Sequence, residues 1–104
     1  AYGARLDQVV AVRPQVAVCT IYDTAYPEPR RTLAVTALAA LNDVITRHAF
    51  RRGLPLVDLR LVCDETADFA NPIEPSVQGG GKIASTIAAL AAEGFGQGRS
   101  TVFL

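Results

Sequence analysis

The chain has 104 residues, enough to bury one hydrophobic core but few for a sheet covered on both faces. Half of the residues are apolar and the formal net charge is zero, so nothing points to a nucleic-acid or acidic-membrane partner. No run of about 18 apolar residues occurs, so no membrane span is expected.

Residues 2–12 carry Leu6, Val9, Val10 and Ala11 at the spacing of an amphipathic helix, and Pro14 is expected to end it. This start reads as helix and not as a signal peptide. The natural N-terminus is therefore expected upstream, and the compartment stays open, with the cytoplasm as the default. Residues 16–21 form a short β-branched run of the kind buried on both faces of a parallel sheet. A proline-containing loop follows at 22–30. Residues 31–52 give the longest helical signal, with Ala34, Ala37, Leu38, Leu41, Val44, Ile45 and Ala49 on one face. Gly53 suits the position just past its end. A second buried strand is expected over 56–59, then a long polar loop over 60–75. Ser76 can cap a last helix with Ile83, Ile87, Leu90 and Ala91 as its buried stripe. A glycine-rich exit covers 94–99, and 101–104 is expected either to pack back on the body or to fray.

The order helix, strand, helix, strand, helix implies parallel strands joined by crossovers. Two strands cannot close such a sheet, so partner strands are expected from a missing segment or another chain. Parallel sheets bind ligands at the carboxyl ends of their strands. Those ends lead into 22–30 and 60–75, where the candidate side chains are Tyr22, Asp23, Tyr26, Glu28, Asp64, Glu65, Asp68, Asn71 and Glu74. His48, the only histidine, lies about fifteen residues along the long helix, roughly 25 Å from that edge. Cys19 and Cys63 read as free buried thiols, and without a Cys/His cluster neither a zinc site nor a cofactor is expected. The run Gly79-Gly80-Gly81-Lys82 fails as a phosphate loop, since the required upstream Gly is Ser76 and the residue after the lysine is Ile83. The glycines instead suit close packing of a first helical turn.

The segment Asn71-Pro72-Ile73-Glu74-Pro75-Ser76, followed by the glycine run, is the most specific motif. It resembles the last block of the SGNH/GDSL hydrolase family, usually Asp-Gly-x-His-Pro-Ser before a small-residue helix. With 16–23 and 53–59 as weaker matches, the resemblance covers most of the chain as the C-terminal half of such a domain. It implies a flavodoxin-like three-layer α/β/α sandwich with parallel strands. It also implies hydrolysis of a small-molecule ester or acyl substrate through the serine of an early Gly-Asp-Ser motif. This chain has no Gly-Asp-Ser, so the expected partner is the missing N-terminal half, and the chain alone is expected to be inactive. Glu74 stands where the family has its catalytic His, and Asn71 where it has Asp. The resemblance implies Glu74 as base or orienter and Asn71 as a hydrogen-bonding orienter; the strand-end reading adds Tyr22, Asp23, Asp64 and Asp68 as substrate-edge candidates. A glutamate with an ordinary pKa of about 4.3 is a poor base at neutral pH. The alternative expectation is a non-catalytic relative that binds a ligand or partner.

Overall fold

The computed structural model describes residues 1–13, 15–93 and 102–103. The expected helix stop at Pro14 and the glycine-rich exit at 94–99 lie outside the described residues. In chain order the elements are α1 (Tyr2–Val12), β1 (Val18–Cys19), α2 (Arg30–Arg51), β2 (Leu56–Val57), α3 (Leu59–Val62), a 3-10 turn (Thr66–Asp68), β3 (Phe69–Asn71), β4 (Glu74–Pro75), α4 (Val77–Glu93) and β5 (Val102–Phe103). Strands β1, β2 and β5 form a parallel sheet in that order, with Val18 opposite Leu56 and Leu56 opposite Val102. Strands β3 and β4 form a separate antiparallel hairpin.

The expected flavodoxin-like three-layer sandwich is not formed. About 61% of the described residues are helical, and each parallel strand is only two residues long. Polar side chains explain why the strands stop early. After β1, the amide of Asn42, 1% exposed on α2, accepts from Ile21 N at 2.8 Å and donates to Ile21 O at 2.8 Å. It takes the place of a neighbouring strand for one residue. After β2, the Asp58 carboxylate accepts from Arg60 N and starts α3. The expected loop at 60–75 is therefore largely structured, by α3, the 3-10 turn and the hairpin.

Helix α2 begins where the Glu28 carboxylate accepts from the main chain and hydroxyl of Thr32. It ends in a Schellman motif: Leu54 N donates to Ala49 O, Gly53 N to Phe50 O, and Gly53 takes φ 64°. Ala49 and Leu54 then share one core cluster with Leu6, Val18 and Leu56. Neighbouring strand residues point to opposite faces, so Val57 enters a second cluster with Leu59, Val62, Cys63 and Leu90. That cluster seats α3 and α4 under the edge that carries the loops.

Removing the Asn42 amide strips both main-chain groups of Ile21 of their partner. N42A is expected to lower stability by about 1–3 kcal/mol, the cost of orphaned polar groups. Urea unfolding of wild type and variant checks this.

Candidate functional site

The two loops at the carboxyl ends of β1 and β2 are tied together. Tyr22 Oη donates to Ile73 O at 2.6 Å, and Ala25 N donates to Pro72 O at 2.9 Å. The Tyr22 ring meets Phe69 edge-on at 5.7 Å. The hairpin that carries the last motif thus rests on the loop after β1. Within it, Asn71 Oδ1 accepts from both Ile73 N and Glu74 N at 2.9 Å. The Asn71 side chain is spent on the turn, where it sets the backbone of Glu74. The Glu74 carboxylate is exposed and makes no hydrogen bond or ion pair among the described residues.

Beside the hairpin lies a cleft of about 450 Å³ between the 23–26 loop, the start of α2 and residues 60–69. Asp23 and Asp64 line it, together with Tyr26 and Glu65. Tyr22, Asn71 and Glu74 lie on the hairpin side, outside the lining. Asp68 is fully buried and lies outside it too.

Two polar networks support this edge. In the first, buried Asp58 accepts from Thr20 Oγ1 at 3.0 Å and bidentately from Arg60, Nε at 2.9 Å and Nη2 at 2.8 Å. Thr20 Oγ1 in turn accepts from Leu59 N. The Arg60 hydrogen bonds hold the Asp58 carboxyl below its ordinary range, against the opposing effect of burial. Sequence reasoning missed Thr20, Asn42, Asp58 and Arg60. For Thr20 and Asp58 the available signal was a polar residue at the next-to-last position of each apolar run.

In the second network, the Asp68 carboxylate accepts from Lys82 Nζ at 2.8 Å, Gln78 Nε2 at 2.9 Å and Glu65 N at 3.0 Å. The bond from Lys82 does most to lower its pKa, from the ordinary 3.8 to about 2. Its carbonyl accepts from Ser76 N at 2.7 Å, and Ser76 Oγ caps α4 by accepting from Gly79 N at 3.1 Å. The close approach expected of the glycine run belongs to Gly79 alone. A Cβ there would lie 2.0 Å from Asp68 O, while one on Gly80 or Gly81 would meet nothing within 4 Å. The neighbour approached is the Asp68 backbone and not the sheet.

His48 lies far along α2, half-buried, 5.5 Å from the Tyr2 ring and 2.8 Å from Arg52 Nη1 through Nδ1. Both cysteines are free; Cys63 is buried, whereas Cys19 is exposed. Among the described residues no group of three or more His, Cys, Asp or Glu could hold a metal ion, and no helix is long and apolar enough to cross a membrane. No family model, no curated protein and no solved structure matches the chain.

The glycines separate by variant. G79A is expected to cost at least about 1–3 kcal/mol by overpacking, whereas G80A and G81A should each stabilise α4 by roughly 0.5–1 kcal/mol; thermal melts of the three variants check this. Asp68 also makes a pH prediction. Its folded value lies below its unfolded one, so its contribution is complete above the unfolded value and is lost as pH falls through about 2. The stability gap between wild type and D68N should therefore be widest near neutrality and narrow steadily below pH 4, in urea titrations at stepped pH.

Proposed function

We propose that this chain is the C-terminal part of an SGNH/GDSL-type hydrolase acting on ester or acyl bonds, in which Glu74 takes the place of the usual histidine. The proposal concerns the chemistry of the edge and not a three-layer architecture. What carries it is the pair of hydrogen bonds from Tyr22 Oη and Ala25 N to the carbonyls of Ile73 and Pro72. They bring the block bearing Glu74 to the same strand edge as a cleft of small-molecule size. Asn71 acts as a positioning residue, because its amide oxygen fixes the main chain at Glu74. The serine nucleophile and oxyanion donors would come from outside this sequence, which has no Gly-Asp-Ser.

A second reading, a non-catalytic ligand- or partner-binding module, draws on a specific observation. The Glu74 carboxylate has no partner among the described residues and lies outside the cleft lining, so no neighbouring side chain orients it toward a bound molecule.

The isolated chain is expected to show no ester turnover above a mock purification. In the complete protein, E74Q should lower kcat by about 10²–10⁴-fold, the range of a general acid–base contribution. Intact turnover in E74Q removes Glu74 from the mechanism. An inactive complete protein that gains esterase activity with E74H supports the binding module.

A further inference from the structure

The cleft holds one cation with no carboxylate within 4 Å among the described residues, Arg31 in the first turn of α2. Of the other charges at the cleft, all but Asp23 make a close ion pair. Arg60 is held bidentately by Asp58, and Asp23 is close enough to act on Arg60 electrostatically. Asp64 and Glu65 turn to Lys82, at 3.5 and 3.8 Å. Glu28, the acid whose carboxyl feels Arg31, is occupied in capping Thr32. A second observation comes from Thr24 on the same lining. Its Oγ1 is buried and has no hydrogen-bond partner. A buried hydroxyl without a partner is costly unless something in the cleft accepts or donates to it.

We propose that the cleft takes a substrate bearing a carboxylate, with that group held by the Arg31 guanidinium and the Thr24 hydroxyl. Naming the ligand a substrate rests on the hydrolase reading; the carboxylate preference rests on the cleft alone. A guanidinium presents paired N–H donors that fit a carboxylate, and the threonine hydroxyl supplies a further donor. The charge of the rim selects among anions. Asp23, Asp64 and Glu65 also line the cleft, so a compact monoanion meets less repulsion than a dianionic phosphate.

The test is an amide-shift NMR titration of the 104-residue chain with two ester probes of matched size, monomethyl succinate and methyl levulinate. The first ends in a carboxylate and the second in a neutral ketone. Monomethyl succinate should bind about tenfold more tightly or better, the scale of one charge-assisted hydrogen-bonded contact, with shifts centred on 23–31 and 60–69. R31Q should abolish the preference, R31K should keep part of it, and T24V should weaken the carboxylate probe alone. The unperturbed remainder of each variant's spectrum reports that the fold is kept. Equal affinity for the two probes, an unchanged preference in R31Q, tighter binding of inorganic phosphate, or no saturable shift from either probe would overturn the proposal. None of these readouts needs turnover or Glu74, so this proposal and the hydrolase reading fail separately.

Discussion

The buried carboxylate of Asp68 is the constraint on which the functional edge depends. A charge fully removed from water must be paired and hydrogen-bonded or it destabilises the fold. Here Lys82 and Gln78 from α4 and the main chain of Glu65 all donate to it. Those donors reach Asp68 only if the first turn of α4 lies against its backbone, and that contact leaves no space for a side chain at position 79. The Asp68 carbonyl then receives Ser76 N, which fixes where α4 begins. With both ends of the hairpin held, Asn71 to Pro75 can only turn outward at the strand edge. Glu74 is there because Asp68 is buried.

A similar logic governs the parallel strands. Sheet pairing continues until a main-chain group finds a better partner. At Ile21 that partner is the Asn42 amide, and at Arg60 N it is the Asp58 carboxylate. Both are polar side chains from regions that the apolar pattern marks as core. They cost desolvation when buried, and their hydrogen bonds offset it. In return the chain leaves the sheet within two residues, which lets the 22–30 and 60–75 segments fold back over each other and enclose the cleft.

This explains what was legible in the sequence. The long helix, its stop at Gly53 and the Ser76 cap are written in local signals, periodicity and cap chemistry, and they are present. The strands over 16–21 and 56–59 are shorter than expected because apolar runs report burial and not pairing. The sandwich that the family resemblance implied fails as well, since Asn42 and Asp58 cut the parallel strands short. Asp64 and Asp68 look alike in sequence, four residues apart on one polar stretch. Only the tertiary position of Lys82 and Gly79 separates a rim carboxylate, 61% exposed, from a fully buried anchor. Arg31 and Thr24 were illegible as a pair because neither belongs to a motif. What marks them is the absence of a side-chain hydrogen bond or ion pair among the described residues, a property of the folded neighbourhood.

Asn71 and Glu74 are best understood together. The turn needs an acceptor at 71 with two lone pairs, to take the N–H groups of Ile73 and Glu74. An aspartate would satisfy the same geometry. In the hydrolase block on which the proposed function rests, the residue at 71 is an Asp and the one at 74 a His, a pairing in which the carboxylate supports a positive imidazolium. With a carboxylate at 74, an aspartate at 71 would set two like charges three residues apart across one tight turn, each disfavouring the other's ionised form. The neutral amide keeps the acceptor and removes the repulsion. On the proposed hydrolase reading the two differences are one electrostatic change, and a histidine placed at 74 would be better oriented with an aspartate at 71 than with the amide.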